Sequence, residues 1–329
     1  MKTQFCVSVL CGMVGLFAGT AQAAEKTFNI GGDIELDAVK IISNNENNDT
    51  VTHGGRAKLS AVGEVRDANW FVKGIVQPMV PFGEYDLNDD GFSDSEIDYD
   101  DVFLQFGSNA WDLQLGRFEA MNLFPAGKDP IIVHAGGVNV YEANKLRGRT
   151  ADRMHGALHF KAGAANIELG TQFSKDGEED FTGFRPAINF DVGRANIFAG
   201  LETIKGHDSN GDTNNDFQGF GLGASAKVGG GELTGRVAHG KDKLTDYKTT
   251  SFGLNFIQGA WGAAYVHSTE DRNTSSDPKV DTLYGGYTIP LFSPESGATM
   301  TFGFSTSKSK NAGANDKVTA GLLRFNYGF

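Results

Sequence analysis

Seven charged side chains fall within one stretch of the sequence, residues 119 to 151: Glu119, Lys128, Asp129, Glu142, Lys145, Arg147 and Arg149. Carboxylates and basic groups held close together set up a local field that orients water and selects against apolar solutes. Their oxygens and nitrogens also hydrogen-bond hydroxyl groups, so the chemistry on offer is recognition of small polar molecules. The same stretch carries Ile131, Ile132, Val133, Val138, Val140 and Tyr141, side chains that need burial. An irregular segment of this length is uncommon and tends to be functional. An external flap packed on other loops is the plainer alternative.

Bond-making chemistry finds little support. No HExxH, GxSxG or phosphate-loop motif occurs. His239 and His267 lie near strand ends where a hydrolytic site would sit, but neither has a convincing Ser or Asp partner in the sequence. Asp86, Asn88, Asp90 and Gly91 have the spacing that opens a calcium loop. The twelfth position of that loop is Ile97, with Glu96 one place early, and no helices flank it. A weaker echo, Asp208, Asn210 and Asp212, lacks the glycine. Calcium held by Asp86, Asn88 and Asp90 therefore competes with a solvated acidic turn, and no other cofactor is expected. "GFGLGA" at 219–224 has the wrong spacing for a dinucleotide site, and glycines in a strand give room for a neighbour.

The elements that must position these residues read as strands. Period-two segments of about ten residues recur along the chain, as in Phe28, Ile30, Ile34 and Leu36 against Asn29, Asp33, Glu35 and Asp37. Sixteen such segments can be counted. The gaps after odd-numbered strands are long and polar, among them "DGEEDFT" and "EDRNTSSDPK", and most of those after even-numbered strands are only a few residues long. Strands that cross a bilayer up and down carry short turns on one side and long loops on the other, here with the long loops outside. Only a closed barrel satisfies every backbone group of such strands in lipid. A soluble propeller or sandwich also uses short strands but requires no such alternation.

The two ends of the chain agree with that reading. Residues 1–23 have Lys2, an apolar run and Ala21-Gln22-Ala23, the pattern of a cleaved secretory signal. Both cysteines, Cys6 and Cys11, fall inside it, so no disulfide is expected beyond Ala24. The final residues, "GLLRFNYGF", place Leu323, Phe325, Tyr327 and Phe329 at alternate positions, wasted in water but suited to lipid. The chain has 44 glycines, only 8 prolines and a formal net charge of −12, which disfavours a nucleic-acid partner. Mean hydropathy is −0.29. The expected fold is all-β: a transmembrane antiparallel β-barrel of sixteen strands, one domain over 24–329. Irregular backbone is excluded from lipid, so the apolar segment 119–151 after the fifth strand is expected to fold into the lumen.

Strand parity turns Lys58, Glu64, Arg66, Asp101, Arg153, His155, His159, Arg185, Asp191, Arg236 and Arg324 toward the lumen. A basic wall facing acidic residues of the loop would set a transverse field; any single member can equally be a solvated lumen charge. Tyr99, Phe103 and Phe198 share the inward parity and either stack on the apolar faces of sugar rings or pack beneath the loop.

The long segment after the fifth strand and the terminal phenylalanine resemble those of sixteen-stranded trimeric bacterial outer-membrane porins. "LQLGRFEAMNLFPAGKD" at 113–129 resembles the opening of the constriction loop in glycoporins of the raffinose-porin type. That resemblance implies a homotrimeric channel in the outer membrane of a Gram-negative bacterium, in contact with lipid and lipopolysaccharide, that passes oligosaccharides and small hydrophilic solutes. A general, non-specific ion and solute porin is the alternative within that class. An adhesin or hydrolase barrel is the alternative outside it.

Overall fold

The structure, a computed structural model, describes residues 24–44, 49–83, 97–128, 130–150, 152–274, 276–312 and 316–329. The signal-like residues 1–23, the calcium-like Asp86, Asn88 and Asp90, and Asp129 lie outside the described residues.

The described residues form sixteen strands. They are β1 (Glu25–Ser43), β2 (Thr50–Arg66), β3 (Trp70–Gly83), β4 (Asp98–Ser108), β5 (Trp111–Arg117), β6 (Met154–Ala162), β7 (Ala165–Asp176) and β8 (Glu179–Asp191). The second half comprises β9 (Ala195–His207), β10 (Thr213–Val228), β11 (Gly231–Asp242), β12 (Lys248–Gln258), β13 (Trp261–Asp271), β14 (Lys279–Pro290), β15 (Ala298–Lys310) and β16 (Lys317–Gly328). Each strand pairs antiparallel with its sequence neighbours, and β1 closes the barrel on β16, with Leu36 opposite Phe325 and Ile34 opposite Tyr327. No helix is long and apolar enough to cross a membrane among the described residues.

Period two drives this arrangement. Phe28, Ile30, Leu36, Phe184, Leu222, Leu254, Phe304 and Phe325 stand exposed on the outer face. The residues on either side of them along each strand are charged, hydroxylic, amide or glycine and point inward. Moving one such outer side chain from water into hydrocarbon contributes about 1.5–3 kcal/mol, so the pattern selects both the face and the surroundings. The chain end is held in the sheet. Phe329 donates its N–H to the Gly32 carbonyl and accepts the Gly32 N–H, both at 3.0 Å.

Two expectations are corrected. "DGEEDFT" is not a long loop: β7 ends at Asp176 and β8 begins at Glu179, joined through Gly177 at φ 61°. The left-handed residue closes a tight hairpin, and the polar sequence belongs to the extended arms. Tyr99 does not face the lumen. The β3–β4 register passes from Val76 opposite Val102 to Pro78 opposite Tyr99, leaving one extra residue on β4. That bulge, beside a proline that cannot donate to the ladder, flips the parity and puts Tyr99 on the outer face with Ile97.

Candidate functional site

The segment leaving β5 packs on inward-facing side chains for most of its length. Phe118 is buried between Phe103 and His155, with ring centroids 5.8 and 5.5 Å away. Farther on, Asn255 of β12 donates to the Pro125 carbonyl at 2.8 Å and Tyr284 of β14 donates to the Ala126 carbonyl at 3.0 Å. Ile131 is buried with Val39, Ala320 and Leu322, from β1 and β16. The chain then doubles back. Ala135 donates its N–H to Ser307 Oγ at 2.9 Å, Asn139 donates Nδ2 to Glu270 at 2.8 Å, and Tyr141 donates its N–H to Ser251 at 3.0 Å. His134 Nδ1 lies 2.7 Å from Thr282 Oγ1, and burial pushes its imidazole down to about 4.

Two wall carboxylates hold the return limb. Glu202 of β9 accepts the Tyr141 hydroxyl at 2.8 Å and the N–H groups of Lys145 and Leu146 at 3.1 and 3.0 Å. Burial pushes the Tyr141 phenol above its ordinary value, and the adjoining Glu202 carboxylate adds to the effect, so the phenol stays a donor. Glu168 of β7 accepts the Met121 N–H at 2.9 Å and Arg147 Nη1 at 3.3 Å. Glycines make the approach possible: a Cβ on Gly219 or Gly221 of β10 would collide with Tyr141 or with Ala143.

Arg147, expected in the constriction, is 2% exposed and never meets the channel. The β8–β9 pairing is interrupted, with the register kept, between Phe184 opposite Thr203 and Ala187 opposite Gly200, where Pro186 has no N–H to give. Arg147 Nη2 supplies the missing donor, reaching the carbonyls of Arg185, Pro186 and Leu201 at 3.2, 3.2 and 3.1 Å. Arg185 and Arg236 face inward as expected but are also sealed. Arg185 donates to the Leu146 carbonyl beneath the segment. Arg236 lies 4.4 Å from the Phe124 ring centroid and donates to Tyr284 at 2.8 Å. Phe198 is 6% exposed within the same cluster, so its ring packs rather than stacks on solute. Parity assigned the face of these residues correctly, but the segment that covers them comes from elsewhere in the chain.

The remaining arc of the inner wall is open and carries a ladder of ion pairs. Arg324 of β16 donates to both Asp37 oxygens at 2.8 and 2.7 Å and approaches Glu35 at 3.1 Å. Arg56 spans Glu35 and Asp33 at 3.8 and 3.9 Å. Lys58 joins Asp33 to Asp100 at 3.5 and 2.9 Å. Arg149 meets Asp100, Asp101 and Glu119 at 2.8, 2.7 and 2.6 Å. Arg117 stands 3.8 Å from Asp98. The wall is therefore not basic: its own carboxylates interleave with every base, and the segment contributes both signs. Asp33, Glu35 and Asp37 were legible from β1 parity, and Asp100 and Arg117 sit beside residues already singled out.

Other expected residues lie apart from this ladder. Lys128 donates to Thr288 at 3.4 Å. Lys145 is exposed with its ammonium 4.3 Å from the Phe217 ring centroid. Glu142 and Lys145 line a cavity of about 420 Å³ with Tyr247, Asp242 and Thr249. Arg153 sits over the Phe181 ring at 3.7 Å, and Arg66 pairs with Glu64 at 2.6 Å near the short turns. His239 and His267 have outward parity, with His267 bound to Asp281 at 2.8 Å. Asp208 accepts the N–H groups of Asn210 and Asp212 at 2.8 and 3.0 Å, which is turn chemistry. Among the described residues no group of three side chains is placed to hold a metal.

Residues 28–183, just under half of the chain, match the family described as porin-like glycoporin RafY. No curated protein matches the sequence. Among solved structures, the chain is similar to the anion-selective porin from Comamonas acidovorans, at 15% identity over 93% of this chain and 100% of that one, with a TM-score of 0.66. It is similar to the trimer form of OmpT, an outer-membrane protein of Vibrio cholerae, at 11% identity over 92% of this chain and 99% of that one, TM-score 0.66. A substituted form of the Rh. blastica porin aligns at 14% identity over 92% of this chain and 100% of that one, TM-score 0.61.

Proposed function

We propose that the chain, which resembles the RafY glycoporins over residues 28–183 and shares the fold of bacterial porins, is an outer-membrane porin that passes oligosaccharides and other small hydrophilic solutes by passive diffusion. The ion-pair ladder carries this reading. Acids and bases interleave from Arg324, which holds both Asp37 and Glu35, through Arg56, Asp33, Lys58 and Asp100 to Arg149. Such a surface presents donors and acceptors at close intervals, which suits the hydroxyls of a neutral sugar. Each base in it lies beside at least one carboxylate, which weakens the field that an anion meets there. The segment 119–149 narrows the lumen against this wall, and the cavity beside Glu142, Lys145 and Tyr247 adds an aromatic face and further polar groups on the long-loop side.

The short turns face the periplasm and the long loops the exterior, and the working unit is a homotrimer, as the OmpT likeness suggests. Planar-bilayer recording with added oligosaccharide tests the proposal. Sugar should reduce the ion current saturably, and deleting residues 130–139 should raise unitary conductance while weakening that block. A current insensitive to sugar at every concentration favours a general porin and rejects the sugar reading. Glu142→Gln should shift selectivity toward anions, most at low salt, where screening is least.

A further inference from the structure

At the short-turn end, well away from the ladder, the inner wall of β2 to β6 encloses a second cavity of about 260 Å³. At about 30 Å³ per water it holds roughly eight or nine waters, enough for a compact solute group with part of its hydration. Its charged lining is Glu64, Arg66, Lys73, Asp112, His159 and Lys161. Both carboxylates are already engaged. Glu64 accepts Arg66 Nε at 2.6 Å, and that guanidinium lies 4.8 Å from the Phe71 ring centroid. Asp112 Oδ1 accepts Gln105 Nε2 at 2.8 Å and stands 2.6 Å from His159 Nδ1. Lys73 and Lys161 are different: neither ammonium has a carboxylate partner among the described residues, although Lys73 sits directly across from Glu64 in the β2–β3 register.

We propose that this cavity is a holding site for an oxyanion, the carboxylate or phosphate group of a small solute crossing the short-turn mouth. Each lysine ammonium carries three donor hydrogens and no acceptor. With the acidic groups engaged by Arg66, Gln105 and His159, the ammonium groups of Lys73 on β3 and Lys161 on β6 remain without a carboxylate partner among the described residues of one concave space. A partly enclosed pocket with an excess of one sign concentrates the opposite ion, even in a chain whose overall charge is negative. The contrast with the ladder is chemical: there each base is matched by a neighbouring acid, and here two are left for a ligand.

The inference rests on the channel reading, and its test separates the two. The intact oligomer would be recorded in planar bilayers at about 0.1 M salt, where fixed charges act over about 10 Å. Inorganic phosphate, glucuronate or glucose would be added on the short-turn side. Phosphate or glucuronate should reduce the chloride current saturably, and glucose should not do so at this site. Block by phosphate alone assigns the site to a free compact anion; block by glucuronate alone assigns it to a sugar acid. The double substitution Lys73→Gln and Lys161→Gln should raise the half-blocking concentration roughly tenfold, the scale of losing a charge-assisted hydrogen bond. Lys227→Gln, at the same end on β10, should leave it unchanged. Block that survives the double substitution, that falls equally with Lys227→Gln, or that is absent with both anions overturns the proposal. If the double variant fails to give a heat-shifted folded band, each single substitution is read in its place. A protein that carries no current at all instead defeats the channel reading.

Discussion

Two arcs of the same inner wall use the same residue types for opposite ends. On β16, β1, β2 and β4, Arg324, Arg56 and Lys58 stand half-exposed among carboxylates and face the water of the lumen. On β7 to β11, Arg185, Glu202, Glu168 and Arg236 are buried, and with Arg147 they grip a segment that covers them. Nothing local distinguishes the arcs: both alternate in period two, and both put a charged residue mid-strand on the inward face. The difference is what arrives on top. Where the segment 118–149 lies, charges lose water and must be matched by backbone groups and one another. Where it does not, water screens them, and their pairing shapes the channel more than it stabilises the barrel.

The sharpest way to break this comparison is Arg147→Met. It leaves Glu168 and Glu202 without their guanidinium and strips the donor from the carbonyls of Arg185, Pro186 and Leu201. Removing one partner of a buried charge group costs about 3–5 kcal/mol. Thermal or urea unfolding should register that loss, and single-channel recordings should show higher, noisier conductance as the segment comes loose. Unchanged stability would mean the buried arc is no anchor.

Gly219→Val comes next. The new side chain would occupy the place of the Tyr141 ring edge, and overpacking of this kind costs about 1–3 kcal/mol. The barrel should still assemble, since its ladder is untouched, but protease should cut the segment around Asn139 to Lys145 faster than in the parent. Equal cutting rates would detach the glycine from the segment's position.

Lys58→Gln addresses the open arc. Solvated pairs contribute about 0–1 kcal/mol, so unfolding should barely move. The measurable effect is on permeation: Asp33 and Asp100 lose a shared base, and the reversal potential in a salt gradient should move toward cation preference. If Lys58→Gln destabilises the barrel as much as Arg147→Met, the two arcs are not different in kind.

The smallest expected effect concerns acid. His134 sits on the segment with its value lowered from 6.5 to about 4 by burial. A lowered value means the neutral imidazole favours the docked segment. That contribution is complete above pH 6.5 and drains away as pH falls toward 4. Current noise should therefore rise across this window, and His134→Gln should flatten the dependence. A variant with the parent's pH profile would place the acid response elsewhere.

The sequence by itself determined the barrel. Alternation along sixteen segments decides which side chains meet lipid, and the aromatic end from Leu323 to Phe329 closes on β1 because its outward set continues that pattern. The same alternation identified the inward charges, including Asp33, Glu35 and Asp37. It also marked 119–151 as unlike the other connections, through the apolar residues that could remain neither in water nor in lipid. What only the tertiary structure decided is which inward charges stay wet. Arg147 and Arg149 are two residues apart in one segment, yet the first fills a gap that Pro186 leaves in the β8–β9 ladder and the second closes the ion-pair ladder on Asp100 and Asp101. Tyr99 turned outward because one bulge shifted the parity at the start of β4. Periodicity is a property of neighbours along the chain. Burial of a charge depends on a segment folded back from elsewhere, and a register slip depends on the partner strand; neither is written in the local spacing.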